Sequence, residues 1–326
     1  NAKGNMERIK FTRNPKLKSP LFIVAWPGMG EVAFKAAAYL VDKLKAEAFA
    51  RIPAQDFFYM MESYVHEGII SLPDWPSNKF YFYKGKGAVP DLVVFIADAQ
   101  PDLARAEDYC RLILEVAKKY KARKVISFAA MPQAIDHSQP PNVWFTATSD
   151  PIKKELMKHN VQMLNDGHIS GLNGLFLGMA KRAGLDGFCL LGEIPLYTIQ
   201  IENPKASYVV LEALCRITGI TLDFSDLREQ AAQLDGQINN LLEYLKLGPT
   251  PGPIGEDEID KIRKSLSQLT KLPLSVQQKI EELFTRAKTD ISRANELKTE
   301  LDKWNVYKDY EDRFLDLFKK KKESNN

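Results

Sequence analysis

Short apolar runs alternate with longer amphipathic stretches over the first part of the chain, the pattern of a β-sheet flanked by helices. Residues 21–26 read as a buried strand, 31–44 as a helix and 49–52 as a second strand. Residues 91–97 are apolar without alternation, as a parallel strand covered on both faces must be, and 124–129 repeat that pattern. Between them the amphipathic period predicts a helix over 103–120. The aromatic run 79–84 alternates less clearly and is expected in a hairpin or an edge strand. After residues 143–147, Asp150 suits an N-cap and Pro151 the first helical position. Helix is expected again over 175–183, strand over 188–191, and a last helix over 205–218 that Gly219 ends.

Past residue 222 the period changes. Leu227, Ala231, Leu234, Ile238, Leu241 and Leu245 fall on one helical stripe that must pack either on the α/β body or on a second copy in a short coiled coil. The prolines and glycines of 248–255 forbid helix and predict an extended linker. Ile259, Ile262, Leu266 and Leu269 then line one helix face, Pro273 interrupts, and Val276, Ile280, Leu283, Ala287, Ile291, Ala294, Leu297, Leu301 and Trp304 line a longer helix. The predicted class is α/β, a central mostly parallel sheet flanked by helices, with a C-terminal all-helical extension. Its expected parts are an α/β domain over 1–225, a connecting amphipathic helix over 226–247, a linker over 248–255 and the helical extension over 256–326.

Composition narrows the function classes. With 326 residues, 45% of them hydrophobic, the chain has enough apolar mass for a substantial core. Lys and Arg number 45 against 42 Asp and Glu, and a net charge of +3 makes no field that would recruit nucleic acid or an acidic membrane. The basic run at 319–322 reads as a solvated tail. Cys110, Cys189 and Cys215 have no paired spacing, which fits reduced thiols in a cytoplasmic protein. No apolar run approaches the ~20 residues that span a bilayer.

The candidate chemistry gathers where strands end. Gly28, Gly30 and Glu31 lie between a strand and a helix, where free amides and the helix dipole can hold an anion. Their spacing also satisfies G-x-G-x-x-A, although Arg51, Ile52 and Pro53 stand where a dinucleotide site wants an acidic residue. A tight structural turn explains the same glycines. Asp98 and Gln100 follow the most buried strand and should emerge at the carboxyl edge of the sheet, as ligands or as ties for loops, with Asp102 capping the next helix. Gly171, Asn173 and Gly174 supply backbone freedom and an amide at a helix start, and Glu193 stands at a late strand end where a carboxylate can hold a helix terminus, a hydroxyl or a proton. His66, His137, His159 and His168 are scattered and no nucleophile elbow is present, so no metal, no cofactor and no catalytic residue is assigned.

Five segments together resemble the PAC2 family, which includes the proteasome assembly chaperones: residues 26–30, 98–101, 167–178, 191–195 and 204–207. The resemblance spans about residues 19–227 and implies an α/β fold similar to the purine nucleoside phosphorylase type. It also implies a homo-oligomer, with a trimer favoured, and protein partners rather than substrates. Characterised relatives bind proteasome α subunits, some of them through a C-terminal hydrophobic-Tyr-any tail, whereas this chain ends in Lys322, Glu323, Ser324, Asn325 and Asn326, so docking by that mode is not expected. The reading is a non-enzymatic, oligomeric assembly-chaperone-like or scaffolding protein that meets a partner through its C-terminal helices. The alternative is an enzyme or sensor that binds a nucleotide or anion at the sheet edge.

Overall fold

The computed structural model describes residues 6–60, 63–66, 69–246, 274–303 and 307–319. The chain divides into two compact units, residues 1–271 and 272–326. The first unit runs β1 (Lys10–Phe11), β2 (Leu21–Ala25), α1 (Val32–Leu44), β3 (Glu47–Arg51), β4 (Tyr64–His66), β5 (Ile69–Ser71), β6 (Asn78–Tyr83), β7 (Leu92–Ala97), α2 (Ala106–Lys119) and β8 (Lys124–Gln133). It continues with β9 (Val143–Ala147), α3 (Asp150–Leu156), β10 (Gln162–Met163), α4 (Leu172–Arg182), β11 (Gly187–Pro195), α5 (Pro204–Thr218) and α6 (Ser225–Lys246).

A nine-stranded mixed sheet has the order β1-β3-β6-β7-β2-β8-β11-β9-β10. Its centre, β7-β2-β8-β11, is parallel, and antiparallel strands flank it on both sides. Every residue of β2, β7 and β11 is buried, because helices cover both faces. Side chains of a strand alternate between faces. Phe22 and Val24 accordingly join a core with Tyr109 and Ile113 of α2 and Phe176 and Ala180 of α4, while α1 and α5 pack together on the sheet's other face. Trp26 sits at the rim of the first core, with ring centroids 5.6 Å from Phe95 and 5.7 Å from Phe176.

The structure corrects several local expectations. Of the two alternatives for residues 79–84 the hairpin holds and the edge does not: β6 forms an antiparallel hairpin with β7, and it lies inside the sheet because its other side pairs antiparallel to β3. Phe80 is buried because it is covered from both sides, and its ring packs on Phe95 at 4.6 Å. Asp150 is the first helical residue, with Ser149 at the cap making no side-chain cap bond, and Asp150 instead pairs with Lys153 at 3.1 Å. Helix α4 starts at Leu172, three residues ahead of the expected start, so Asn173 and Gly174 are helical, not loop. Asp102 caps as expected, its carboxylate accepting from Ala104 N–H at 2.8 Å.

Helix α6 docks on the α/β body through its apolar stripe, burying Leu227, Ala231 and Ile238. The linker residues 248–255 and the stripe from Ile259 to Leu269 lie outside the described residues.

The second unit contains α7 (Leu274–Thr289), α8 (Ala294–Lys303) and α9 (Tyr307–Lys319). The single long helix expected there is broken at Asp290 and a 3-10 turn over Ile291–Arg293, although the apolar stripe runs on through the break. Ile280, Phe284, Ala287, Leu297, Leu301 and Phe314 form its buried side, and Arg313 of α9 grips both carboxylate oxygens of Glu281. Among the described residues no helix is long and apolar enough to cross a membrane, and no group of His, Cys, Asp or Glu could hold a metal ion.

Candidate functional site

Parallel strands deliver their following loops to one edge, and four of the sequence-selected residues meet there. The Gln100 amide reaches across the edge: its Nε2 donates to Pro27 C=O at 2.7 Å and its Oε1 accepts from Leu172 N–H at 3.2 Å. Asn173 on the first turn of α4 does the same for β2, its Oδ1 accepting from Trp26 N–H and its Nδ2 donating to Trp26 C=O, both at 3.1 Å. Gly171 holds φ +76°, and a Cβ there would come to 3.2 Å from Gln100 Nε2. Gly28 sits against Asn173, where a Cβ would lie 3.7 Å from Nδ2. Gln100, Asn173, Gly171 and Gly28 therefore form one clasp, in which the two amide side chains are spent on backbone.

The glycine turn after β2 is closed in the same manner. Gly30 N–H donates to Ile199 C=O at 2.8 Å, Glu31 N–H to Gly28 C=O at 2.9 Å, and Val32 N–H to Met29 C=O. The amides of Gly30, Glu31 and Val32 are thus engaged by carbonyls, and Asn203 N–H in turn donates to Gly30 C=O at 2.7 Å. Glu31 itself occupies the left-handed region at φ +51°. Burial pushes its carboxyl up from 4.5 to about 7, repulsion from Glu202 adds to the shift, and the Gly28 backbone hydrogen bond opposes it. Lys35 neutralises Glu202 at 2.6 Å.

The other selected residues lie apart from the clasp. Asp98 accepts from Ser77 N–H at 3.1 Å and returns its own N–H to Ser77 C=O, anchoring the segment that enters β6. Gly174 lets α4 approach the preceding loop, since a Cβ would fall 2.3 Å from Ile169 C=O. Glu193 is buried on β11, where its Oε1 accepts from Trp144 Nε1 at 2.7 Å and its Oε2 accepts from Asn142 N–H and Nδ2 at 2.9 and 3.0 Å. Beside it, His137, Asn203, Lys205 and Asp235 line a cavity of about 20 Å³, room for roughly one water.

That cavity is roofed by α6, and sequence reasoning missed the residues that hold the roof. Lys205 Nζ bridges His137 C=O and Asp235 of α6, each at 2.5 Å. Nε2 of His137 meets Asn239 Oδ1 at 2.9 Å, and its Nδ1 meets the Tyr197 hydroxyl at 2.9 Å. Asp235 and Asn239 are spaced one helical turn apart on the polar flank of the stripe, a signal legible only once the docked face is known. The thiols are inert: burial pushes Cys110 and Cys189 up to about 12 and Cys215 to about 11.

This is an α/β protein with a parallel sheet centre whose carboxyl edge is locked by its own side chains. The chain belongs to the PAC2 family, whose model matches residues 22–242. It is 27% identical over 248 residues to the uncharacterised protein MJ1210 of Methanocaldococcus jannaschii, covering 74% of this chain and 92% of that one. Among solved structures it is similar to Pyrococcus furiosus PbaB, an archaeal proteasome activator, at 26% identity and TM-score 0.61, covering 72% of this chain and 97% of PbaB. Pyrococcus furiosus PbaA, an archaeal homologue of the proteasome-assembly chaperone, matches at 25% identity and TM-score 0.58, covering 81% of this chain and all of PbaA. A Streptomyces avermitilis PAC2 protein at 22% identity and TM-score 0.58 shares the fold.

Proposed function

We propose that this chain is a non-enzymatic, self-associating assembly factor of the proteasome-chaperone kind, acting by binding protein rather than by turning over a small molecule. The observation that carries the reading is the spent state of the sheet edge. In ligand-binding α/β proteins the loops after parallel strands present free polar groups to a crevice. Here Gln100, Asn173 and Glu193 direct their polar atoms at Pro27, Leu172, Trp26, Asn142 and Trp144, and Gly30 and Glu31 of the glycine turn give their amides to carbonyls. Membership of a family whose relatives include a proteasome activator and a chaperone homologue supplies the partner class.

The partner contact is assigned to the C-terminal helices. Residues 272–326 have their own buried side and still expose Leu315 and Phe318 on α9, at 44% and 46%. An amphipathic helix with apolar residues left on its outer surface is a form that docks into a groove.

The test is binding of the full-length chain to purified proteasome α-subunit rings from its own source, followed by light scattering, beside Leu315→Glu/Phe318→Glu. The full-length chain is expected to bind and the double variant to lose most of that binding. Absence of binding by the full-length chain would overturn the partner class, and undiminished binding by the double variant would overturn the assignment to α9.

A further inference from the structure

The sheet is left incomplete at its β10 edge. In an antiparallel pair, successive residues turn their backbone groups alternately toward the neighbouring strand and away from it. Thr148 N–H donates to Gly187 C=O at 3.0 Å and Glu193 N–H to Asn142 C=O at 3.1 Å, which sets the phase for β9 against β11. Trp144 and Thr146 therefore face β11, and Val143, Phe145 and Ala147 face the other way. On that outer side Leu164 N–H donates to Phe145 C=O at 2.9 Å, but β10 pairs with Trp144 and Phe145 alone. Among the described residues no strand lies beside Ala147 there. A groove opens along the strand end instead, as two adjoining hollows of about 420 and 290 Å³ that share Thr146, Ala147, Thr148, Leu164, Asn165 and Lys181.

The far wall of the groove is α4, where Gly174, Gly178 and Lys181 follow at helical spacing on one stripe. Packing accounts for Gly174, which lets the Ile169 carbonyl approach, but not for Gly178. That residue is exposed, and a Cβ on it would meet nothing within 4 Å. Glycine inside a helix costs stability relative to alanine, so here it spends stability to keep the groove open. The charge in the groove is one-sided. Asp150 is the one carboxylate in the lining, and Lys153 pairs with it at 3.1 Å. Lys153 also holds the Asp150 carboxyl below its usual range, and Lys154 and Lys181 add to that pull. Lys181 itself makes no ion pair and no hydrogen bond among the described residues.

We infer that this groove takes an extended, acidic segment of a partner protein, which continues the line of β10 beside Ala147 and lays a carboxylate against Lys181. Strand addition draws its affinity from backbone bonds and its specificity from the side chains alongside. Ala147 offers the N–H and the C=O, Leu164 and Leu177 give one face of the segment an apolar floor, and Gly178 leaves room for its backbone. The Lys181 ammonium selects the charge, because a carboxylate there forms a charge-assisted hydrogen bond that a neutral side chain does not. This contact belongs to the first unit and is separate from the one assigned to α9, so it does not rest on the proteasome partner.

The test is to pan a phage-displayed library of random dodecapeptides on the full chain and to titrate the enriched peptides by fluorescence polarisation, beside Gly178→Gln and Lys181→Glu. Glutamine is the better helix former and position 178 is exposed, so Gly178→Gln should keep its far-ultraviolet circular dichroism and melt no lower than the wild type while its side chain fills the groove. Gly178→Ala, which adds only a methyl group, is the control. The expected result is enrichment of peptides that carry Asp or Glu among β-branched residues. Their dissociation constants should rise about tenfold or more in Gly178→Gln and in Lys181→Glu, and little in Gly178→Ala. No enriched peptide, enrichment without acidic residues, or an affinity unchanged in either folded variant would overturn the inference. A fall in the sedimentation coefficient of the peptide-free chain on Gly178→Gln would show that a second copy covers the groove, and would overturn it as well.

Discussion

Asn173 and Trp26, separated by 147 positions in the chain, exchange two hydrogen bonds: the Asn173 amide accepts from the Trp26 N–H and donates to its C=O, each at 3.1 Å. A buried asparagine that completes a strand end in this way acts as a side-chain extension of the sheet. Asn173→Leu keeps the volume but leaves both Trp26 backbone groups unpaired, at a cost of about 2–4 kcal/mol. Chemical denaturation should show a lower midpoint with an unchanged slope. A loss below the error of that fit would mean that water replaces the amide and that the clasp is not structural.

Glu193 should behave as a buried hydrogen-bond acceptor. Three donors, Trp144 Nε1 and the two nitrogens of Asn142, converge on its carboxylate. Glu193→Gln turns one accepting oxygen into a donor that faces a donor, so the variant is expected to lose about 2 kcal/mol of stability. Thermal unfolding of the pair at neutral pH checks this, and an equally stable Glu193→Gln would count against the carboxylate's role as the receiver of these bonds.

Glu31 provides a pH test. Its carboxyl is raised in the folded protein from 4.5 to about 7, so the folded state holds a proton there that the unfolded state has released. Stability therefore falls as pH rises between those values, and the penalty is complete above about 7. Glu31→Gln removes the ionisation. Its melting temperature is expected to exceed that of the wild type at pH 8 and to approach it at pH 5, and a difference independent of pH would contradict the assigned cause.

The roof helix α6 is predicted to loosen without unfolding the sheet when its latch is cut. Lys205→Met removes the bridge from His137 C=O to Asp235. Hydrogen exchange should accelerate across Ser225–Lys246 while β2, β7 and β8 stay protected, because helix and sheet open with separate free energies. Equal acceleration everywhere would show the latch to be part of the global core.

Much of the first unit is legible without coordinates. The continuous apolar runs at 91–97 and 124–129 predict strands covered on both faces, and β7 and the buried stretch of β8 are that. Asp102 as a cap, Gly219 as a helix stop and the α6 stripe follow from local rules that need no partner, since capping, left-handed glycine and helical period are properties of neighbouring residues. For residues 79–84 the same logic left a hairpin and an edge strand open, because an interior antiparallel strand and an edge strand differ in what lies beside them rather than in their own residues. The helix break at Asp290 was hidden by an apolar stripe that keeps its spacing across the 3-10 turn.

The sequence alone determined the α/β class, the family resemblance and which polar residues stand at strand ends, because these depend on order and local spacing. Tertiary structure alone decided what those residues do. Whether Gln100 offers its amide to a ligand or to Pro27 and Leu172, whether Gly30 keeps a free N–H or gives it to Ile199, and whether α6 covers the body or a second copy are questions of which groups meet across long stretches of chain. Hydrogen-bonding capacity is written in a residue's type, but its satisfaction is set by distance, and distance between remote residues exists only in the fold.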